Sequence, residues 1–317
     1  MKILFHTNTL NYRGTSVALR DYAFYNQEIL GNESIIAYCK TNGNEKDMGN
    51  EYSVIEELEK TFQVVGYRQG DLEKKIDTHN IDLCYMIESG QRTYYPTNCK
   101  SGIHAVFQFN EPYGDVYAYV SEWLSQTMSG GKLPYVPHIV HLPDPTKNFR
   151  SHLGIRDDQI VIGRIGGYLT FDIPFVKSLI QELVTSTDQF VFLFVGTEPF
   201  IEHKNVIFIN EIHDQTKKSN FINTCDAMLH ARQRGESFGL AIAEFLYFNK
   251  PVFAWNQGHD KNHLTMVNPI SLYSTKDDLK EKLFKTKAIA KSIDWKQSVE
   301  QFTPDKVMVK FNEVFIQ

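Results

Sequence analysis

The sequence predicts an α/β protein of two domains, each a parallel sheet covered by helices on both faces. Three observations predict it. Apolar runs of roughly four to eight residues alternate with amphipathic, helix-length segments along the chain. The alternation stops once, at a proline-rich stretch near the middle, and then restarts. The length of 317 residues is long for one core and comfortable for two.

The elements follow in order. "KILFHTN" (Lys2–Asn8) reads as a strand and runs into a loop holding Gly14. Across Ser16–Leu30, Val17, Leu19, Tyr22, Ala23 and Ile29 fall on one helical face, and Gly31 stands where a left-handed residue closes a helix. Ser34–Cys39 is the next strand. A polar loop, a helix near Val54–Lys60, the strand "FQVVGY", a helix near Asp71–Thr78 and the strand "IDLCYMI" follow. "GIHAVFQF" and "VYAYVSEWL" read as buried strands or as strands passing into helices. Over Val136–Phe149 the prolines 137, 143 and 145, just behind Pro134, have no helical period, so an extended connector is expected. The second half then gives "QIVIGRIGG", a strand entering a glycine turn, the helix "IPFVKSLIQELV", and the strands "FVFLFVG" and "VIFIN". The helix "TKKSNFINTC", the strand "AMLHA", a further helix and the strand "PVFAW" complete it. Residues 1–145 and 146–295 are the two expected domains, facing a cleft. Residues 296–317 contain an amphipathic terminal helix, "DKVMVKFNEVFI".

Composition removes several function classes. A net charge of −5 lacks the basic excess that neutralising a long duplex nucleic acid requires. No run approaches the eighteen or so apolar residues of a membrane-spanning helix, and the N-terminus has no signal-peptide core, so a cytoplasmic protein with at most a peripheral membrane contact is expected. Cys39, Cys84, Cys99 and Cys225 are scattered without C-x-x-C spacing and read as reduced, buried thiols. No D-x-D occurs, and "GRIGG" is not the G-x-G-x-x-G of a nicotinamide site, so neither a metal site nor a cofactor is expected.

The chemistry concentrates in "RGESFGLAIAEFLYFNKPV" (Arg234–Val252). Ser237 is placed to cap a helix running from about Phe238 to Phe248, and Asn249 to close it in the left-handed conformation ahead of Lys250 and Pro251. Glu236 then sits just ahead of the helix N-terminus. A glycine in the first turn, Gly239, costs about 1 kcal/mol against alanine, which close backbone approach to a ligand would explain. The N–H groups and dipole at that end favour an anion such as phosphate. Glu244 lies among Leu240, Ile242, Ala243, Phe245 and Leu246, where a carboxylate needs partners; ribose hydroxyls would serve.

The pattern E-S-F-G-L-x-x-x-E-F, followed by K-P-V, resembles the donor-site signature of GT-B glycosyltransferases, in particular the large retaining group often called family 4. That group has two glutamates with seven residues between them, Phe-Gly inside and Gly-x-Pro-Val behind. Here Glu236, Phe238, Gly239 and Glu244 match, with Ser237 and Leu240 between them, and Asn249–Val252 stand at the last position. "IVIGRIGG" resembles the family strand ending in Gly-Arg, which implies Arg164 as a diphosphate ligand with Gly166 in the turn behind it. "FLFVGTEP" and "VIFINEIHD" resemble the two strands that follow. In the first half, Gly14 matches the family's glycine loop, and His104 stands where many members have a histidine near the transferred sugar. The terminal helix resembles the one that crosses back to the first domain.

There are departures. The family lysine behind Gly-Arg is missing until Lys177, one glycine replaces a pair at 14, and Arg232 and Arg234 occupy positions where the family has Pro-Ser. Those arginines offer replacement charge for the diphosphate. The resemblance implies sugar transfer with retention from a nucleotide sugar (UDP- or GDP-linked) to a glycan, lipid, protein or small-molecule acceptor. In it Glu236, His104 and Arg164 are the catalytic candidates, with Glu244 on the ribose. Two other readings remain: a sugar-nucleotide or glycan-binding module without chemistry, and a GT-B epimerase or hydrolase.

Overall fold

The computed structural model describes residues 1–41 and 46–317. Its elements, in chain order, are β1 (Lys2–Thr7), α1 (Gly14–Glu28), β2 (Glu33–Thr41), α2 (Tyr52–Leu58), β3 (Gln63–Arg68), α3 (Leu72–His79), β4 (Leu83–Glu88), β5 (Lys100–Ala105), β6 (Val116–Tyr119) and α4 (Glu122–Ser129). After an extended stretch come β7 (Ile160–Ile165), α5 (Pro174–Ser186), β8 (Phe190–Val195), β9 (Val206–Ile209), α6 (Gln215–Thr224), β10 (Ala227–His230), β11 (Gly235–Glu236), α7 (Leu240–Tyr247) and β12 (Val252–Trp255). The chain closes with β13 (Asp260–Lys261), α8 (His263–Met266), β14 (Leu272–Tyr273), α9 (Lys276–Phe284), α10 (Thr286–Ala290) and α11 (Pro304–Phe311). Contacts divide it into two compact units, Met1–Ile139 with Phe302–Gln317, and Val140–Gln301.

In the first unit the parallel sheet has the order β3-β2-β1-β4-β5-β6. Strands covered on both faces read as continuous apolar runs, and Ile3, Leu4 and Phe5 of β1 have no exposure at all. One face is closed by α1 and by α11, which returns from the far end of the sequence. Phe311 lies 6.3 Å from Phe5, 5.2 Å from Tyr22 and 5.1 Å from Tyr85, centroid to centroid, and Phe315 lies 5.0 Å from Tyr85. Such rings contribute through both their area and their edge-to-face geometry.

The second unit repeats the plan, in the order β14-β12-β10-β7-β8-β9. All six residues of β8 are buried. Gly163 in β7 is required by a close approach: a Cβ there would run into Cys225 Sγ and Phe245. Helix α7 ends as its sequence predicts. Asn249 takes φ 56°, its N–H donates to the Leu246 carbonyl at 2.8 Å, and the Lys250 N–H donates to the Phe245 carbonyl at 3.0 Å. The Asn249 side chain also accepts from the Trp295 N–H at 2.7 Å, tying the helix end to the later chain.

Numbered within its own unit, each sheet runs third, second, first, fourth, fifth, sixth. Each therefore reverses direction between its first and fourth strands, β1 and β4 in one, β7 and β10 in the other, and a crevice opens beyond the carboxyl ends of those strands. Among the described residues no helix is long and apolar enough to cross a membrane.

Candidate functional site

At the reversal point of the second unit two segments leave the sheet. Gly166 and Gly167 follow β7, and Ala231–Gly239 follows β10. The second segment holds most of the predicted residues.

Glu236 is fixed by a two-residue parallel ladder in which Gly235 pairs with Asp260 and Glu236 with Lys261. The ladder needs glycine at 235, where φ is 77° and a Cβ would collide with the Asp260 carbonyl. The Glu236 carboxylate takes two partners, His230 Nε2 at 3.1 Å on Oε1 and Arg232 Nη1 at 2.9 Å on Oε2. Burial pushes this carboxyl up, but His230 and Arg232 outweigh it and hold Glu236 below the usual range. His230 ends β10 and lies 5.3 Å from the ring of His263. The His263 Nε2–H donates to the Trp255 carbonyl at 2.9 Å, and burial, then His230, pushes its pKa to about 4.

The helix that follows starts later than the sequence suggests. Ser237 is not its N-cap residue, and Phe238 and Gly239 are not part of it. Gly239 itself is the N-cap, at φ 99° and ψ 55°, and the helix begins at Leu240. The turn is fastened by Asn262, whose Nδ2 donates to the Phe238 carbonyl at 2.8 Å, and by the burial of the Phe238 ring. A Cβ on Gly239 would come 3.3 Å from the Glu236 side chain and 3.4 Å from Met266, so a residue with a side chain is disfavoured by both backbone and space. The N-cap of α7 is a glycine and brings no side chain of its own to the first turn, whose N–H groups and dipole favour an anion.

Glu244 is 5% exposed and is paired, with Lys218 of α6 at 2.5 Å on Oε1; among the described residues nothing binds Oε2. Arg232, at the mouth of the turn, holds Glu236. Arg234 holds Asp260, Nε to Oδ2 at 2.7 Å.

Arg164 corrects an expectation. It is 4% exposed, and both its terminal nitrogens are engaged inside the fold. Nη1 donates to the Gly196 carbonyl at 2.9 Å and to the Thr197 hydroxyl; Nη2 donates to the Gly167 carbonyl at 3.0 Å and the Thr170 hydroxyl at 2.6 Å. Burial lowers its pKa to about 10, so it stays charged at neutral pH. Its observed work is to join the loop after β7 to the loop after β8. Gly166 belongs to the same arrangement, because a Cβ there would strike the Arg164 guanidinium.

Two candidates lie elsewhere, in the first unit. His104 has no exposure and both ring nitrogens are used: Nε2–H donates to the Val136 carbonyl at 2.8 Å, so Nδ1 accepts from the Tyr85 hydroxyl at 2.5 Å. Burial pushes its pKa to about 4. It is a satisfied core residue with no atom left for a sugar. Gly14 is exposed and opens α1, with Arg13 as the N-cap.

Sequence reasoning missed His230 and Lys218. His230 carried a usable signal, as the last residue of the strand that follows the sheet reversal. Lys218 carried none that distinguishes it from an ordinary helical lysine.

No protein-family model and no curated protein matches the sequence. Solved structures do. A glycosyltransferase from Rickettsia africae superposes with a TM-score of 0.72 over 99% of this chain and 97% of its own, at 16% identity. HepE from Anabaena in complex with UDP gives 0.70 over 99% of each chain, also at 16% identity. A mutant of S. aureus TarM in complex with fondaparinux, alpha-GlcNAc-glycerol and UDP gives 0.69 over 100% of this chain and 99% of its own, at 10% identity.

The fold is that of the GT-B glycosyltransferases.

On the GT-B fold, the residues that the sequence singled out divide into three groups. Glu236, Gly239, Leu240 and Arg232 gather at the reversal point of the second unit, and Glu244 stands further along the same helix. Arg164 and Gly166 build the neighbouring turn from inside. His104 and Gly14 belong to the first unit.

Proposed function

We propose that this chain is a glycosyltransferase that moves a sugar from a nucleoside diphosphate sugar to an acceptor, with retention of anomeric configuration. The observation that carries the reading is the glycine-led N-terminus of α7 beside a carboxylate held ionised by His230 and Arg232, set at the reversal point of a GT-B fold. As the bond from the sugar's anomeric carbon to the diphosphate breaks, negative charge gathers on the leaving oxygen. The first amides of α7 and the Arg232 guanidinium supply the donors for it. Glu236 holds the sugar hydroxyls. Glu244, oriented by Lys218, offers Oε2 to the ribose. Arg164 is a positioning residue that shapes the Gly166–Gly167 turn. UDP in the crystals of HepE and TarM supports uridine as the base.

Titration calorimetry with UDP, GDP and ADP tests the donor site. One nucleotide is expected to bind at micromolar strength, weakened at least about tenfold (1.4 kcal/mol) by Glu244→Ala. Equal affinity of the variant, or no binding at all, would sink the assignment. Incubation of the matching nucleotide sugar with and without acceptors then separates the readings. Turnover without any acceptor points to a hydrolase or epimerase, and tight binding with no turnover to a binding module.

A further inference from the structure

We propose that His230 takes up a proton when a nucleotide sugar binds at the head of α7, and that it acts there as a positioning residue, through Glu236. Proton-linked binding of this kind rests on the nucleotide reading above and adds a regulation to it.

His230 is the last residue of β10, a strand with β7 on one side and β12 on the other. It is screened where its neighbours are reachable: 7% of its side chain is exposed, against 23% for Glu236 and 26% for Arg232. A Cβ on Gly239, the cap of α7, would lie 3.3 Å from the Glu236 Cβ, so the first amides of the helix stand beside that side chain. An anion on those amides meets Arg232 and Glu236, with the imidazole behind them.

The hydrogen bonds fix where protons sit. Glu236 is ionised and only accepts, so His230 Nε2 carries a hydrogen toward Oε1, 3.1 Å away. Nδ1 is then the atom at which the ring gains or loses its second proton, and among the described residues it is buried with no hydrogen-bond partner. Native proteins rarely leave such an atom unsatisfied without a use for it. The ring of His263, 5.3 Å away, is placed differently. Its Nε2–H is committed to the Trp255 carbonyl, and it has no carboxylate of its own. Two buried imidazoles this close do not both charge. The one that holds a carboxylate charges first, and that is His230.

The groups around the ring set the direction. Glu236 favours the imidazolium and Arg232 opposes it, with Arg164 acting on the same two. From β14, Tyr273 donates its hydroxyl to the His230 carbonyl at 2.9 Å. Asp260 is held by Arg234, and Asp172 by the Gln233 N–H at 2.7 Å. In the free protein the charges of Glu236 and Arg232 therefore offset each other at His230. A diphosphate engages Arg232 and adds negative charge of its own, which tips the balance toward the imidazolium. The proton comes from solvent and is held at Nδ1, while Nε2–H keeps Glu236 in place for the sugar.

Calorimetry on the full chain tests this with UDP-glucose, GDP-mannose and ADP-glucose. Their diphosphates are diesters and do not titrate near neutrality, whereas a terminal phosphate does so at about pH 6. Titrations at about pH 7 in HEPES, imidazole and Tris, buffers of different ionisation enthalpy, are expected to show about half a proton taken up per nucleotide sugar bound. Affinity is expected to fall about threefold per pH unit above that. His230→Gln keeps an N–H for Glu236 and has no proton to exchange; it is expected to lose the uptake and the pH slope, whereas His263→Gln keeps both. Should His230→Gln fail to fold, nitrogen NMR of the histidine-labelled wild type reads the ring itself. The Nδ1 signal of His230 is expected to pass from the bare-nitrogen to the imidazolium range on binding. Binding without uptake, uptake undiminished in His230→Gln, or an Nδ1 signal that stays in the bare range overturns the proposal and leaves the nucleotide reading standing. Binding of none of these nucleotide sugars removes that reading and this proposal with it.

Discussion

Lys218 Nζ lies 2.5 Å from Glu244 Oε1, and the pair is nearly enclosed, with 15% and 7% of the two side chains exposed. Removing one member of a buried pair leaves a charge with neither water nor partner. Lys218→Met is therefore expected to lower unfolding stability by roughly 3 kcal/mol, and adding Glu244→Gln to restore most of it. Urea melts of the two variants check this. Equal stability of Lys218→Met and wild type would mean that the lysine is not needed to hold the carboxylate.

Arg164 joins two loops through donors in a fixed planar fork, a geometry that a lysine cannot reproduce. Arg164→Lys is expected to cost about 2 kcal/mol or more of stability. Its effect on nucleotide affinity is expected to be smaller than that of Arg232→Ala. Melts and calorimetry on both variants decide the matter. A lysine variant of full stability with lost affinity would return Arg164 to the diphosphate.

Gly239→Ala forces a side chain into φ 99°. The strain is expected to cost about 1–2 kcal/mol, and the shifted α7 N-terminus to weaken nucleotide binding about tenfold. Affinity unchanged by this substitution would show that the first turn of α7 does not meet the ligand.

Glu88 gives a pH prediction. Its pKa in the fold, about 7, is above the ordinary 4.5, so the folded state favours the protonated form. Stability from this group is then fully present below about pH 4.5 and is lost as pH rises through 7. Between pH 5 and 8 its contribution is expected to fall by roughly 1–3 kcal/mol, a change that Glu88→Gln removes. Parallel stability–pH curves for the two proteins would contradict it.

Much of the fold was legible because the chemistry behind it is local. "FVFLFV" can only be a strand buried on both faces, and Asn249 before Lys-Pro can only end a helix. The spacing of Glu236 and Glu244 was legible for the same reason. What a sequence does not carry is the direction in which a side chain finds its partners. Arg164 looked like a ligand because it follows a glycine at the end of a strand, yet the loops after β7 and β8 close over it. His104 stood where the family has a histidine near the transferred sugar, yet Tyr85 and the Val136 carbonyl take both its nitrogens. Ser237 obeyed the capping preference, but Gly239 could adopt a backbone angle that serine avoids, and the helix began there instead.

Phe311 and Phe315, which fill the first unit's aromatic core around Tyr22 and Tyr85, come from the last residues of the sequence. On the ribosome, the first 139 residues must therefore wait, with those rings uncovered, while the whole of Val140–Gln301 is synthesised and free to fold. The half of the chain that is made first is the half that is finished last, and during translation it is the one that keeps apolar rings exposed.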